Sequence, residues 1–174
     1  PDARAFAELF AAYCGQYYAL LDEIQLGKPF LALHDSAHRR IANLLSEFDI
    51  VSCSGEEAYV KGYSQLVFPC GVGHYIGAQV HDVGGHLANP EGEHLQKDPR
   101  YPFLRLMRPI EENIAFTIEP GIYFIDQLLA QVRDNPDFNW NRINQLKPFG
   151  GCRLEDCFAV TDQGVENLSM WSKK

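Results

Sequence analysis

The chain has 174 residues, 46% hydrophobic and 22% charged, a composition typical of a globular protein that buries a core. Its formal net charge of -8 and its scattered cations argue against a nucleic-acid partner, because phosphates need a basic patch. No apolar run reaches the roughly 20 residues that span a bilayer, and no signal-peptide pattern is present. We therefore expect a cytoplasmic protein without a membrane partner.

The first third of the chain carries the pattern of helices. Apolar side chains recur at steps of three and four over residues 6–24, which predicts a helix that ends near Gly27 and Pro29. The same spacing over 35–48 predicts a second helix. The stretch 54–57, Ser-Gly-Glu-Glu, has the form of a capping box and predicts a short third helix.

Glycine, aromatic and β-branched residues become frequent after residue 62, which favours strands. An apolar run over 113–118 predicts one strand, and Glu-Pro-Gly at 119–121 ends it as a turn. A second strand is predicted over 152–160, and the stretch 134–147 between them is expected to be a long excursion or an irregular helix. Helices followed by strands predict an α+β domain, with helices on one face of an antiparallel sheet.

Glu119 is the first residue that indicates chemistry. It ends an apolar strand, where a lone carboxylate is costly to bury unless it is paired or bound to a cation. The alternative is a strand-end side chain that points into solvent. The pattern alone leaves both interpretations open.

A second candidate follows the double glycine at 150–151. In one continuous strand, Arg153 and Glu155 would project to the same face, and the guanidinium would keep the carboxylate ionised and oriented. An ordinary surface ion pair is the alternative, and it would contribute little. The paired glycines favour a functional role, since they permit close approach of another backbone segment.

His74 and His81 stand seven apart among small residues and are followed by Asp82. Neutral imidazole is a common metal ligand and a proton shuttle, although a lone histidine is more often structural. A second pair, His34 and His38, has the four-residue spacing of a zinc helix but lacks the accompanying glutamate. We interpret that pair as part of a solvated helix face.

The five cysteines form no C-x-x-C pair, and this favours reduced thiols over disulfides. Cys152 and Cys157 lack the spacing of a zinc ribbon, and we expect them to be small residues in or near the core.

Three segments in this order resemble the metallopeptidase family with the pita-bread fold, which includes methionine aminopeptidases, aminopeptidase P, prolidases and creatinases. They are GVGHYIGAQVHDVGG at 71–85, TIEPGIYF at 117–124 and GGCRLEDCFAV at 150–160. The stretch from FIDQLLA to LKPFGG is similar to the bacterial Xaa-Pro dipeptidase branch. The resemblance implies the C-terminal half of a pita-bread catalytic domain, with metal-dependent hydrolysis of Xaa-Pro dipeptides and release of proline.

The resemblance also implies roles for individual residues. His74, Glu119 and Glu155 would be metal ligands, and Glu119 would also be the acid–base carboxylate. His81 would line the substrate pocket and stabilise the tetrahedral intermediate, and Arg153 would organise the metal-binding carboxylates. Two further residues would bind substrate: Arg105, within LRLMR at 104–108, would clamp the C-terminal carboxylate, and Cys70 would line the pocket.

The expected cofactors are two divalent ions, for which oxygen ligands with one imidazole favour Mn²⁺. The resemblance further implies a cytoplasmic homodimer. Enzymes of this family use two additional aspartates on upstream strands, so we expect residues 1–174 to be a partial catalytic domain that lacks those strands and any N-terminal domain. The opening Pro1 in place of methionine agrees with this expectation, and the fragment alone is expected to be inactive.

One departure from the family pattern keeps alternatives open. Cys70 stands where the pattern has a histidine four residues before His74. A thiol at this position favours a non-catalytic pita-bread protein that binds or regulates, whereas the other site residues favour an enzyme. A related hydrolase of the aminopeptidase P or creatinase kind is the third possibility.

Overall fold

The computed structural model describes residues 1–169, so residues 170–174 of the expected domain lie outside the described part. Helices α1 to α6 of this part are Ala3–Leu21, Phe30–Glu47, Gly55–Val60, Ser64–Val67, Asp126–Leu129 and Trp140–Leu146. Strands β1 to β5 are Ala115–Ile118, Gly121–Tyr123, Gly151–Arg153, Asp156–Thr161 and Gly164–Asn167. None of the described helices combines the length and the apolar character needed to cross a bilayer.

The chain divides into two compact units. The first contains Pro1–Ala19, Ser36–Pro69 and Gly121–Leu154. The second contains Leu20–Asp35, Cys70–Pro120 and the described residues from Glu155 onward.

The first unit is mainly helical. One face of α1 is buried through Leu9, Tyr13 and Tyr17, in agreement with the period expected of an amphipathic helix. The capping box of α3 is complete, with Ser54 accepting from the Glu57 N–H and the Glu57 carboxylate accepting from the Ser54 N–H. Strands β2 and β3 pair antiparallel within this unit.

The second unit is built on an antiparallel sheet with the strand order β1-β4-β5. Phe116 on β1 anchors its core, because its ring meets the edge of Phe30 at 5.7 Å and stacks on Phe158 at 5.5 Å. The stretch 72–76 runs beside β1 through main-chain hydrogen bonds. These are donated by the Ile76 N–H to Ala115, by the Thr117 N–H to His74, and by the Glu119 N–H to Val72.

The predicted α+β class and antiparallel pairing are confirmed, as are the first three helices. The boundaries differ from the prediction. Helix α1 ends at Leu21, earlier than the Gly27 signal, and α2 begins at Phe30, directly after Pro29. The Gly27 N–H donates to the carbonyl of Ile110, so a contact distant in sequence fixes the loop between these helices.

The single strand predicted over 152–160 is wrong. The structure has two strands there, β3 paired with β2 and β4 paired with β1, with Leu154 and Glu155 between them. Arg153 and Glu155 therefore do not alternate along one strand. Cys152 on β3 and Cys157 on β4 are both half-buried free thiols, as small near-core residues would be.

The interpretation of His34 and His38 as a solvated face is also wrong. Each is only 2% exposed. The His34 ring meets Tyr101 edge-on at 4.4 Å, whereas the His38 ring lies 4.9 Å from Phe68 and its Nδ1 is 3.0 Å from Ser64 Oγ. Aromatic neighbours that are distant in sequence bury both rings.

Candidate metal centre

An imidazole and a carboxylate meet beside strand β1 in the second unit. His74 Nε2 lies 3.0 Å from Glu119 Oε1, and the two side chains are 5% and 12% exposed. The pairing of 72–76 with β1 brings these residues together although 45 positions separate them in the chain. Glu119 is therefore paired at the strand end and does not point freely into solvent.

Two further groups orient this pair. Thr117 Oγ1 accepts a hydrogen bond of 3.1 Å from the His74 N–H and donates one of 3.1 Å to Glu119 Oε1. His74 Nδ1 lies 2.8 Å from the carbonyl oxygen of Tyr75, and because a carbonyl only accepts, Nδ1 carries the proton. Nε2 then donates its proton to Glu119 Oε1, and once that proton is lost its lone pair can bind a metal ion.

The pKa of the His74 imidazole is raised above its ordinary value. The hydrogen bond with Glu119 is the largest cause, and burial opposes it. The Tyr75 carbonyl and the negative charges of Glu119 and Glu155 raise it further. In the absence of a metal the pair therefore favours a proton on the imidazole, which Glu119 stabilises.

The backbone at Gly73 comes unusually close to β1. A Cβ added there would overlap the carbonyl oxygen of Thr117 and would lie 3.1 Å from the Phe30 ring. Only glycine allows His74 to reach its position beside Glu119 without a shift of the strand.

His81 lies next to the pair. Its ring is nearly perpendicular to that of His74, with centroids 4.4 Å apart, and the residue is exposed. Glu155 is exposed in the segment between β3 and β4, and its charge acts on His74. Among residues 1–169, no three His, Cys, Asp or Glu side chains form a group that could hold a metal ion.

The other predicted site residues are distributed over both units. Cys70 is half-buried and Arg105 exposed, both in the second unit. Gly71, the residue after Cys70, packs against the backbone that carries Arg105. A Cβ on Gly71 would lie 3.1 Å from the Phe103 carbonyl oxygen and 3.4 Å from the Arg105 nitrogen. Arg153 is exposed on β3 in the first unit, opposite Gly121 in the register.

The pair fits a divalent cation in donor chemistry and in spacing. Metal–donor distances of about 2.0–2.2 Å place two ligands at right angles about 3 Å apart. The 3.0 Å between His74 Nε2 and Glu119 Oε1 is the length of a hydrogen bond, and it is also short enough for both atoms to bind one cation. A nitrogen and a carboxylate oxygen, held by Thr117 and Tyr75, are a suitable part of a metal site.

Comparison with protein families agrees with this chemistry. The model of metallopeptidase family M24 matches residues 2–162. The chain belongs to this metallopeptidase family.

Two relatives in the M24 family are named Xaa-Pro dipeptidases. The chain is 43% identical over 164 residues to Xaa-Pro dipeptidase 2 of Idiomarina loihiensis, and this match covers 94% of the chain and 37% of the relative. It is 41% identical over 167 residues to the Xaa-Pro dipeptidase of Aeromonas hydrophila, covering 94% of the chain and 38% of the relative. The chain thus spans less than two fifths of the length of either protein.

A solved structure of E. coli aminopeptidase P in its low-pH form superposes with a TM-score of 0.70 at 21% identity. The match covers 100% of this chain and 33% of that one. At this identity the likeness concerns the fold, and the predicted pita-bread fold of the M24 family is confirmed.

Sequence reasoning did not recognise the role of Thr117. The signal was present, because Thr117 and Glu119 are two apart at the end of a strand and such side chains project to the same face. The role of the Tyr75 carbonyl could not be read from side-chain identity, since any residue supplies a carbonyl.

Proposed function

We propose that the natural protein containing this chain hydrolyses Xaa-Pro dipeptides and releases the C-terminal proline. The observation that carries the proposal is the His74–Glu119 pair, built as a cation site in a chain of the M24 family. Relatives that are 41% and 43% identical and are named Xaa-Pro dipeptidases support the substrate class.

The proposed cofactors are two divalent ions, Mn²⁺ in preference, since oxygen donors with one imidazole suit that ion. His74, Glu119 and Glu155 are the proposed ligands from this chain, and residues 1–174 are proposed to be part of a catalytic domain whose two aspartate ligands lie elsewhere in the protein. Bound divalent ions make a water nucleophilic at neutral pH and polarise the scissile carbonyl.

Glu119 is the proposed acid–base residue. Its carboxylate accepts the proton of the attacking water and returns it to the departing proline nitrogen. Thr117 orients this carboxylate through a hydrogen bond of 3.1 Å to Oε1. The Glu119 side chain is only 12% exposed, which limits competition from bulk water.

His81 and Arg105 are the proposed substrate-binding groups. The exposed imidazole of His81 borders His74, where it can donate a hydrogen bond to the oxyanion of the tetrahedral intermediate. The planar guanidinium of Arg105 can donate two parallel hydrogen bonds to the oxygens of a free carboxylate. Binding of the C-terminal carboxylate next to the scissile bond would favour dipeptides over longer peptides. Cys70 is proposed to line the same pocket, and Arg153 to orient the ligand carboxylates.

The cellular setting is part of the proposal. We propose a cytoplasmic homodimer that acts on small peptides without nucleic-acid or membrane partners. The net charge of -8 supports the absence of a nucleic-acid partner, and the lack of disulfides among the five cysteines, all within residues 1–169, is consistent with a reducing compartment.

Hydrolysis by the intact, Mn²⁺-loaded protein tests the proposal. We expect cleavage of an Xaa-Pro dipeptide to exceed that of an Xaa-Pro-Yaa tripeptide, and Glu119→Gln to lower kcat on the order of 10²–10⁴-fold. Glu166→Gln, an exposed carboxylate on β5, is the matched control and should leave kcat unchanged. Faster cleavage of the tripeptide would assign an aminopeptidase P type of activity.

Cys70 favours one second candidate, a pita-bread protein that binds Xaa-Pro ligands without cleaving them. Equilibrium binding separates the two functions. A protein that binds divalent ions and a dipeptide but turns over no faster than its Glu119→Gln variant is a binding protein.

A further inference from the structure

Three stretches of the second unit, 83–87, 93–97 and 102–107, come together around basic side chains. Three hydrogen bonds join them: the Met107 N–H donates to the Gly85 carbonyl at 3.0 Å, the Leu95 N–H to the His86 carbonyl at 2.8 Å, and Lys97 Nζ to the Pro102 carbonyl at 3.0 Å. Leu87 and His94 add an antiparallel bridge. The result is a cluster formed by His86, His94, Lys97 and Arg105, which we call the basic cluster.

His86 occupies the inner position of the basic cluster. Its Nδ1 is buried and has no hydrogen-bond partner among the described residues. Burial lowers the pKa of this imidazole, and the positive charges of Lys97, Arg105 and His94 lower it further. All of the charges that act on His86 are therefore of one sign.

Arg105 has no compensating anion either. Its exposed guanidinium makes no ion pair or hydrogen bond with any residue of 1–169. Other arginines of the same region differ, because Arg100 pairs with Asp98 at 2.7 Å and Arg108 pairs with Glu111. The neighbouring carboxylates are engaged elsewhere, Glu93 with Asn89 and Asp98 with Arg100, so an external anion would complement the charges of Lys97 and Arg105.

The basic cluster adjoins the candidate metal centre through the backbone. Gly71, three residues before His74, packs on 103–105, and a Cβ on Gly85 would lie 2.7 Å from the Arg105 carbonyl oxygen. The stretch that carries Arg105 is thus enclosed between the glycines at 71 and 85.

We propose that His86 and Lys97 join Arg105 in a three-membered anion site that binds the free carboxylate of the substrate. This inference rests on the proposed function and adds two specificity-determining residues to it. Arg105 supplies a planar fork of donors, and Lys97 a point charge held by the Pro102 carbonyl. The unpartnered Nδ1 of His86, in the tautomer that carries its proton there, supplies a third donor that is satisfied when the anion is bound.

The test compares an acid with its neutral analogue. Calorimetry on the intact metal-loaded protein measures binding of N-acetylproline and of N-acetylprolinamide, which differ only in the charge of the terminal group. We expect the acid to bind more tightly. His86→Phe and Lys97→Met should each reduce this preference about two- to tenfold, the contribution of a single hydrogen bond or exposed charge. In turnover, the same variants should raise KM for the dipeptide and leave kcat unchanged.

Arg100→Gln is the matched control, since it removes a cation of the same region that is already paired with Asp98. It should keep the wild-type preference. Because Lys97 is exposed, Lys97→Met should fold, and its binding preference tests the anion site if His86→Phe does not fold. An unchanged preference in the foldable variants, or equal binding of both ligands by the wild type, would overturn the anion site. Preferential binding of the acid without hydrolysis would instead overturn the proposed function and keep the site.

Discussion

Thr117 Oγ1 lies 3.1 Å from Glu119 Oε1 and donates a hydrogen bond to it. The Thr117 side chain is buried, 3% exposed, and the same oxygen accepts from the His74 N–H at 3.1 Å. One hydroxyl therefore fixes both members of the candidate metal pair. Groups in this position tune a metal site without touching the metal.

Thr117→Val removes the hydroxyl at nearly constant volume. We expect it to weaken metal affinity by about tenfold to a hundredfold, because both His74 and Glu119 lose their shared partner. Metal titration followed by calorimetry measures the change, and Thr117→Ser should restore most of the affinity. Equal affinities of the valine and serine variants would refute a positioning role for the hydroxyl.

Gly73→Ala tests the close approach of the His74 segment to β1. The added Cβ meets backbone at Thr117, which cannot rotate away, so we expect a loss of about 1–3 kcal/mol in the free energy of unfolding and weaker metal binding. Urea denaturation of the intact protein measures the first effect. The control is Gly15→Ala in α1, where a Cβ meets nothing within 4 Å and should stabilise by about 0.5–1 kcal/mol. A neutral Gly73→Ala would contradict the close approach.

Local patterns predicted the elements that local forces determine. The period of α1 and the capping box at Ser54 are properties of neighbouring residues, and both are confirmed. The strand before Glu119 was likewise evident, because its apolar run ends in Pro120 and Gly121. The α+β class followed from the order of these elements.

Contacts distant in sequence account for the failures. The stretch 152–160 contains neither glycine nor proline to mark a break, and only its pairing partners divide it, since β3 pairs with β2 and β4 with β1. The burial of His34 depends on Tyr101, 67 positions away, which no helical period can reveal. The pairing of His74 with Glu119 is distant as well, and it was expected from the resemblance and not from spacing.

Asp137 provides a test of stability against pH in the first unit. The pKa of its carboxyl is lowered, chiefly by the hydrogen bond from Tyr63 Oη at 2.6 Å and also by Lys61 Nζ at 2.9 Å. A lowered folded pKa means that the stabilisation is present above the ordinary value, about 3.9, and is lost as the pH falls through the folded value.

We therefore expect Asp137→Asn to lower the urea midpoint at pH 6, and the difference from wild type to close at a pH below about 4. Urea midpoints measured across the acid range check this window. Asp134→Asn is the control, because Asp134 is exposed and has no hydrogen-bond or ion-pair partner among residues 1–169. A difference that persisted unchanged at low pH would show that the ionised carboxylate is not its source.

Cys70→His tests the position at which this chain departs from the family pattern. Cys70 is half-buried and precedes Gly71, which packs on the stretch that carries Arg105. A thiol is a weak hydrogen-bond donor, whereas an imidazole offers a strong donor and acceptor to a bound peptide. We expect Cys70→His to lower KM for an Xaa-Pro dipeptide about two- to tenfold, the contribution of one hydrogen bond.

The matched variant is Cys70→Ser, which removes the thiol without adding an imidazole and should leave KM within about twofold of wild type, since a hydroxyl adds at most one weak hydrogen bond there. Steady-state kinetics on the Mn²⁺-loaded protein compares the three. If the histidine variant binds the dipeptide no better than wild type while metal affinity and the urea midpoint are unchanged, residue 70 does not contact substrate. Specificity at this end of the site would then depend on His81 and on the basic cluster, of which Arg105 has its backbone nitrogen beside Gly71.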